Sequence, residues 1–228
     1  GSGDILKSAS SSNFTLGTDD FTIEFWYRPD DLSTGTDGGW RSLIATNNYT
    51  ASGSFAVYQR GADIYVYRGT GGSSSLIMSD TSVFSAGTWA NIVWTRSSGT
   101  NYLFVDGTQV ATASDSFDAT GNGVWIGANY YDNHGGGSGR YFIKGYVDEV
   151  RFTKGVARHT SNFTPQANEF YPATGVDDIT SNSIDSVLNG NVTFNTTQPR
   201  SWDWPSDTNN SDFIQSVSNL STLPTLND

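Results

Sequence analysis

The sequence predicts an all-β protein, a two-sheet antiparallel jelly-roll sandwich that continues into an irregular C-terminal arm. Short segments of strand character recur roughly every ten residues with turn residues between them, a spacing typical of sandwiches. The 25 glycines, set against six prolines, suit many short strands better than helices. The 228 residues are 36% hydrophobic and contain no cysteine, so we expect a buried core rather than disulfides to hold the fold.

The first clear strand is the segment FTIEFWYR, residues 21–28. Apolar and polar residues alternate in it, so one face is predicted to point into the core and the other away from it. Pro29 ends the strand because proline lacks a backbone donor. The residues of the predicted inward face are Phe21, Ile23, Phe25 and Tyr27.

The next predicted strands are short. Leu43–Thr46 reads as one strand, and Ser54–Gln59 pairs with Asp63–Arg68 across a turn that contains glycine. Leu76–Met78 reads as another short strand. All four segments are rich in β-branched, aromatic or aliphatic residues, which favour a pleated and partly buried surface.

A β-meander follows. Ile92–Arg96, Asn101–Val105 and Thr108–Thr112 read as three strands, joined by a turn at Ser97–Thr100 and by a tight two-residue turn at Asp106–Gly107. Asp-Gly is typical of two-residue hairpin turns, because both central residues there need positive φ.

Two more strands complete the predicted sandwich, Gly123–Gly127 and Tyr141–Phe152, and one helical turn is expected near Val156–His159. Four tryptophans lie in predicted strands or at their starts, so we expect them in the core. They are Trp26, Trp89, Trp94 and Trp125.

The composition changes at Ala173, which divides the chain into a predicted sandwich, residues 1–172, and a C-terminal extension, residues 173–228. The extension is rich in Ser, Thr and Asn, and carries seven aspartates against the single Arg200. Such a segment buries too little apolar surface to fold alone. Its aromatic residues, including Trp202, leave two alternatives open: the arm covers its own domain or reaches a neighbouring subunit.

The charge of the chain excludes several partners. A net charge of −11 argues against nucleic acid, which needs clustered Lys and Arg. The chain contains no run of 18 apolar residues, so no membrane span is predicted. An acidic polar surface fits a secreted or particle-exposed protein, or calcium held by carboxylates.

Three segments carry a family resemblance: DFTIEFWYRP at 20–29, IVWTRSSGTNYLFVDGTQVATA at 92–113 and GYVDEVRFTKGVARHTSNFTP at 145–165. Together they resemble a laminin-G-like domain of the concanavalin A-like lectin/glucanase superfamily, in the form found in tailed-phage virion structural proteins. The resemblance covers about residues 1–172 and implies a concanavalin A-like jelly roll that serves as a binding module. In that pattern GSGD normally follows a strand that is missing here. We expect either a processed chain or a substitute strand, for which Asn191–Thr196 is a candidate.

The resemblance also raises the question of catalysis, since glucanase members use paired glutamates spaced Glu-x-Asp-x-x-Glu. This spacing does not occur in the chain, and we therefore predict that the protein is not an enzyme. A dyad of Glu24 with Glu149 across strands remains an alternative. The other interpretation is that both glutamates form cross-strand ion pairs with Arg28, Lys144 or Arg151.

A glycan site needs exposed aromatic rings together with amides and carboxylates that bind hydroxyl groups. The loop after the predicted strand 123–127 contains all three types within a few residues, and a second group is expected on the other side of the same rim. The alternative is that the tyrosines only cover the end of the sandwich. The loop candidates are Tyr130, Tyr131, Asp132, Asn133 and His134, and the second group is Trp40, Asn48 and Tyr49.

Calcium is a further expectation, because laminin-G-like domains often hold one ion at the rim. The ion takes six to eight oxygen ligands, which Asp30, Asp31 and Asp37, or Asp132 with Asn133, could begin to supply. The alternative is a solvated loop whose aspartates cap their own turns.

We therefore predict a non-catalytic binding module of a virion surface protein, a fibre or decoration protein, located on the virion or extracellular. Its expected partners are a glycan or host-surface polysaccharide and neighbouring virion proteins in an oligomeric assembly, without nucleic acid or membrane insertion. The alternative is a purely structural virion assembly protein whose C-terminal arm clasps adjacent subunits.

Overall fold

Two antiparallel β-sheets pack face to face in the computed structural model, which confirms the predicted all-β jelly-roll sandwich. The structure describes residues 5–34, 36–46, 48, 50–130, 139–166 and 186–189, and among these the side chains of all but 36, 37, 130, 139, 140 and 186–189. The described residues belong to one compact unit within residues 1–192. The predicted boundary at 172/173 stays a prediction.

The first sheet has seven strands, with β3 at its centre. In spatial order they are β14 (Ser186–Asn189), β1 (Ile5–Ser8), β10 (Val124–Ile126), β3 (Trp40–Thr46), β4 (Phe55–Arg60), β5 (Asp63–Gly69) and β6 (Ser74–Asp80).

The second sheet has five strands, and a separate two-stranded ribbon lies outside both sheets. The five are β13 (Gly145–Lys154), β2 (Phe21–Pro29), β7 (Ala90–Ser97), β8 (Thr100–Val105) and β9 (Thr108–Ser114), and the ribbon is β11 (Asn129–Tyr130) with β12 (Gly139–Arg140). The described helical elements are the 3₁₀ turns Ser12–Phe14 and Thr36–Gly39. No helix in the described ranges has the length and hydropathy needed to cross a membrane.

Strand β2 shows why the alternating pattern was informative. All four residues of its predicted inward face are fully buried in the core between the sheets. Trp94 of β7 lies at the centre of this core, with its ring centroid 4.9 Å from that of Phe21 and 5.1 Å from that of Phe55, both edge to face. Because Phe55 belongs to β4, these aromatic contacts join the two sheets.

The meander is confirmed as β7, β8 and β9. Asp106 and Gly107 have φ of 49° and 74°, the two positive values that a type I′ hairpin needs. The turn before it is shorter than predicted. Ser97 pairs directly with Thr100, and Ser98 and Gly99 also have positive φ, so a second two-residue turn replaces the expected four-residue one.

Two predictions near the C-terminal end of the sandwich are wrong. The last strand begins at Gly145 rather than Tyr141, where φ is +58° and the chain bends. The segment at Val156–His159 has no regular secondary structure and is not helical. Thr22 Oγ1 donates to the Val156 carbonyl at 2.9 Å and accepts from the Arg158 N–H at 2.9 Å, so the strand below supplies the hydrogen bonds.

The four tryptophans do not share one environment. Trp94 is in the core as predicted, whereas Trp26 and Trp89 are only half-buried. Trp125 is buried on the opposite side of its sheet, where Lys7 Nζ lies 4.8 Å from the ring centroid. Apolar content alone did not distinguish the two faces of the seven-stranded sheet.

Strand β1 is an element that the sequence analysis did not assign. It lies between β10 and β14, and Leu6 pairs with Ile126 on one side and with Leu188 on the other. The predicted substitute strand Asn191–Thr196 follows β14 directly in the chain and lies outside the described residues.

Candidate functional site

The outer face of the seven-stranded sheet, opposite the core, is unusually aromatic. Cross-strand pairing places Trp125, Ala45, Ala56, Tyr67 and Leu76 in one row across five strands. The neighbouring positions along the same strands, such as Ile44, Val57 and Val66, belong to the core. The alternation of strand side chains therefore turns every member of the row away from the core.

A second row on the same face places Tyr58 beside Tyr65. With Trp40, Tyr67 and Tyr141 these residues form one cluster, which we call the aromatic face. The Trp40 ring packs edge to face against Tyr58, Tyr65 and Tyr67 at centroid distances of 5.6, 5.0 and 5.9 Å. Tyr65 and Tyr67 stack at 6.3 Å with an interplanar angle of 26°. The rings thus hold one another in fixed orientations.

The exposure of the aromatic face is graded. Tyr58 is buried, whereas the other four rings are half-buried, and Leu76 at the end of the row is 47% exposed. Ala45 and Ala56 are buried between the aromatic side chains and form a flat floor. Partly exposed rings beside small residues leave aromatic surface accessible to a flat apolar ligand.

The ribbon of β11 and β12 adjoins the aromatic face. The Ser42 N–H donates to the Tyr141 carbonyl at 2.7 Å, and Gly127 N–H donates to the Leu43 carbonyl at 3.0 Å. Tyr141 has a left-handed backbone, which is strained for a residue with a side chain. Main-chain bonds to β3 hold this conformation and bring the ribbon next to the tyrosines.

Two buried polar atoms at this junction, Ser42 Oγ and Asn129 Oδ1, have no hydrogen-bond partner among the described residues. Asn129 is fully buried and uses its Nδ2 to donate to Tyr58 Oη. Leaving a buried acceptor unpaired costs roughly 1–3 kcal/mol. The junction therefore has polar capacity that the described residues do not fill.

The predicted ligand residues fall in three places. Trp40 is part of the aromatic face. Asn48 lies near the end of β3, where its Oδ1 accepts from the backbone N–H and the hydroxyl of Thr50 at 3.2 and 3.1 Å, so its acceptor is used within its own turn. The backbone of Tyr130 belongs to β11. The Tyr130 side chain and all of Tyr49, Tyr131, Asp132, Asn133 and His134 lie outside the described residues.

Several aromatic residues of this face were not identified from the sequence. Tyr65 and Tyr67 alternate with Ile64 and Val66 in the segment DIYVYR, and the aliphatic pair occupies the core. The alternation was available as a signal, but tyrosine suits both a core and a surface. Only the cross-strand register shows that these tyrosines meet Trp40.

Two predicted calcium ligands already have cationic partners. Asp30 Oδ1 lies 3.2 Å from Arg28 Nη2, and Asp31 Oδ2 lies 3.0 Å from Lys144 Nζ. Hydrogen bonds from Ser33 and the contact with Lys144 hold the pKa of Asp31 well below its usual range. The described residues contain no group of three side chains that could hold a metal ion. The side chain of Asp37 and all of Asp132 lie outside the described residues, so the calcium site stays a prediction.

The predicted alternative of ion pairing for Glu24 is confirmed. Its Oε1 accepts from Arg151 Nε at 2.6 Å, and Arg158 Nε lies 3.6 Å away. Glu149 lies in a β-bulge between Asp148 and Arg151, with φ of 53°. The described contacts of the Glu24 carboxylate are therefore those of an ion pair that joins β2 to β13 and to the segment after it.

Two antiparallel sheets of seven and five strands that pack around one core define the class as a jelly-roll β-sandwich. The chain belongs to the Concanavalin A-like lectin/glucanases superfamily, since the Laminin_G_3 family model with that description matches residues 1–158. A search of curated protein sequences found no significant match.

Solved structures show the same fold at low sequence identity. The CBM40 of the Ruminococcus gnavus IT-sialidase has a TM-score of 0.52 at 13% identity, covering 64% of this chain and 80% of that one. The same module bound to alpha2,6 sialyllactose has a TM-score of 0.50 at 11% identity, covering 68% and 94%. The leech intramolecular trans-sialidase has a TM-score of 0.52 at 14% identity, covering 67% of this chain and 24% of the enzyme.

Proposed function

We propose that the chain is a non-catalytic glycan-binding module and that the aromatic face, with the adjoining ribbon and rim loops, is its binding surface. The observation that carries the proposal is the cluster of half-buried rings on the solvent side of the larger sheet. Sugar rings present flat C–H faces that stack on aromatic side chains.

The absence of a catalytic role is part of the same proposal. The Glu-x-Asp-x-x-Glu spacing does not occur in the sequence, and the carboxylate of Glu24 is compensated by Arg151 and Arg158. We expect no hydrolysis of β-glucans by the purified protein, and hydrolysis that disappears in Glu24→Gln would contradict this.

The site is testable on a glycan array. We expect the protein to bind a restricted set of glycans and to lose that signal in the double variant Tyr65→Ala/Tyr67→Ala. Tyr146→Ala is the matched control, because Tyr146 is a 40% exposed tyrosine that packs on Arg28 in the other sheet. No signal on the array, or equal loss in both proteins, would contradict the proposal.

Variants of the rim loop separate the two parts of the surface. Tyr130→Ala and Tyr131→Ala are expected to weaken binding of any glycan found on the array while leaving the melting temperature unchanged. If binding survives both changes but is lost in the Tyr65→Ala/Tyr67→Ala variant, the aromatic face alone is the site.

Calcium at the rim is a separate proposal. Because Asp30 and Asp31 face cations, an ion there would depend on Asp37 and Asp132. We expect added calcium to raise the melting temperature of the wild type and not that of Asp132→Asn. Equal melting curves with calcium and with a chelator would contradict the proposed calcium site.

The setting proposed for the module is the surface of a virion, as part of a fibre or decoration protein in an oligomeric assembly. The support is the resemblance of the three sequence segments to phage structural proteins. Electron microscopy of particles labelled with an antibody against the chain tests it. Purely structural assembly through residues 173–228 is the competing role, and it predicts assembly without glycan binding.

A further inference from the structure

A second cleft lies on the outer face of the five-stranded sheet, on the opposite side of the sandwich from the aromatic face. Cross-strand pairing places Arg151, Glu24, Val93 and Phe104 in one row on this face. The segment of residues 155–166 crosses above the sheet. Between segment and sheet an open cleft of about 500 Å³ remains, which lies within the range of small-molecule pockets.

The crossing segment is fastened at both ends. At one end Gly155 N–H donates to the Asp20 carbonyl at 2.8 Å, and Thr22 bonds the backbone of Val156 and Arg158. At the other end Phe163 N–H donates to the Gly107 carbonyl at 2.9 Å. The cleft is therefore bounded by fixed backbone on both sides rather than by a free chain end.

The charges in the cleft do not cancel. Glu24 is 3% exposed and its Oε1 accepts from Arg151 Nε at 2.6 Å, while Arg158 Nε lies 3.6 Å from the same oxygen. Among the lining residues these are the groups with a formal charge, two positive and one negative. His159 adds no charge at neutral pH, because burial lowers its pKa from an ordinary value of 6.5. The described lining residues thus carry one excess positive charge in a chain of net charge −11.

A buried acceptor in the cleft lacks a donor. Asn91 is 2% exposed and lines the cleft, and its Oδ1 has no hydrogen-bond partner in the part of the chain that the structure describes. A buried unpaired acceptor is costly unless a ligand or water supplies a hydrogen. The His159 ring, stacked on Phe163 at a centroid distance of 3.7 Å, adds a flat apolar wall.

We propose that this cleft is a binding site for a small hydroxylated carboxylate. The carboxylate pairs with the guanidinium of Arg158, which is 40% exposed, and a ligand hydroxyl donates to Asn91 Oδ1. Sugar acids such as uronates and short hydroxy acids share this chemistry. The site is distinct from the aromatic face and does not depend on the function proposed for it.

Calorimetric titration of the full chain at low ionic strength tests the site with D-glucuronate, D-lactate and D-glucose as probes. We expect one or both carboxylates to bind in the millimolar range and glucose not to bind. Tighter binding of glucuronate identifies a sugar acid as the ligand class, and tighter binding of lactate a short hydroxy acid. Equal heats for all three probes would overturn the proposal.

Variants of Arg158 test whether its guanidinium binds the carboxylate. Arg158→Gln is expected to weaken carboxylate binding about ten-fold or more, and Arg158→Lys to restore part of it, because the charge returns without the planar fork. Arg68→Gln is the matched control, since Arg68 is an ion-paired arginine of similar exposure in the other sheet. Thermal unfolding of each variant shows whether it is folded. A folded Arg158→Gln protein that binds as tightly as the wild type would overturn the assignment.

Asn91→Ala tests the hydroxyl contact through selectivity. The wild type is expected to prefer D-lactate over propionate, which lacks the hydroxyl, and the variant is expected to lose that preference while still binding both. An unchanged preference in a folded variant would remove Asn91 from the site. If no carboxylate binds and Arg158→Gln only lowers the melting temperature, the charges serve the fold and the proposal is wrong.

Discussion

Arg96 is the clearest case of a single residue on which the fold depends. Its side chain is fully buried, and its guanidinium donates to the carbonyls of Gly17, Asp19 and Phe117 at 2.6 to 2.9 Å. The guanidinium carbon also lies 4.7 Å from the centroid of the Phe21 ring. Burial lowers the pKa of Arg96, and the three carbonyls compensate the buried charge. The Gly17 carbonyl also accepts from the Ala119 N–H at 2.8 Å. One side chain thus holds the loops that close one end of the sandwich.

Arg96→Met is expected to lower the free energy of unfolding by about 3 kcal/mol, because the carbonyls of Asp19 and Phe117 lose the donor that the structure gives them. Arg68→Met is the control and is expected to cost less than about 1 kcal/mol, since the ion pair of Arg68 with Asp115 is partly exposed. Urea unfolding of both variants measures the difference. Equal losses would show that the carbonyl contacts of Arg96 contribute little.

His159 predicts a pH dependence of stability. Burial lowers its pKa in the folded chain below the ordinary 6.5, and Glu24, Arg151 and Arg158 are the charges that act on it. As the pH falls below about 6.5, His159 gains a proton in the unfolded chain before it does so in the folded chain, which favours the unfolded chain. The stability that is present above this pH is therefore lost as the pH falls through the folded pKa. His159→Gln is expected to lose less stability than the wild type between about pH 7.5 and pH 5. Parallel stability curves for the two proteins would contradict this.

At the scale of elements, sequence patterns determined the strands that have one buried face. Phe21, Ile23, Phe25 and Tyr27 all reach the core as the alternation indicated, and the Asp106–Gly107 turn forms where the dipeptide predicts it. The patterns failed where long-range contacts decide the structure. The backbone of residues 156–159 is held by hydrogen bonds to Thr22, which is more than 130 positions away in the chain.

The candidate site was predicted only in part for the same reason. Trp40 was identified, but its neighbours Tyr58, Tyr65 and Tyr67 come from two other strands, and only register brings them together. The polar cleft was not anticipated either. Arg151 was one of three predicted cationic partners of Glu24, whereas Asn91 and Arg158 meet this pair through the meander and the crossing segment.

Gly107 tests how the crossing segment is attached to the meander. A Cβ at this position would lie 1.9 Å from the Phe163 carbonyl oxygen, and φ there is +74°. Gly155 has a similar φ of +77°, but nothing lies within 4 Å of a Cβ. Gly107→Ala should therefore lower the free energy of unfolding by about 2 kcal/mol or more, and Gly155→Ala by about 1 kcal/mol. Equal losses in the free energy of unfolding for the two variants, measured by urea unfolding, would show that the crossing segment shifts away from residue 107 at no cost in stability.

At the scale of the whole molecule, the two outer faces of the sandwich carry different chemistry. The larger sheet presents aromatic rings and small residues, and the smaller sheet presents an ionic cleft under a fixed segment. A shared core lies between them, so a change confined to one outer face should leave the other intact. This separation allows the glycan proposal and the carboxylate proposal to fail or succeed independently.

Titration calorimetry with the glycan that gives the strongest array signal tests whether the aromatic face binds glycans. Tyr65→Ala/Tyr67→Ala is expected to lower the affinity for this glycan at least about ten-fold. Tyr146→Ala and Arg158→Gln are expected to leave the affinity unchanged, and all three proteins are expected to remain folded. Unaltered affinity in the Tyr65→Ala/Tyr67→Ala protein would contradict the claim.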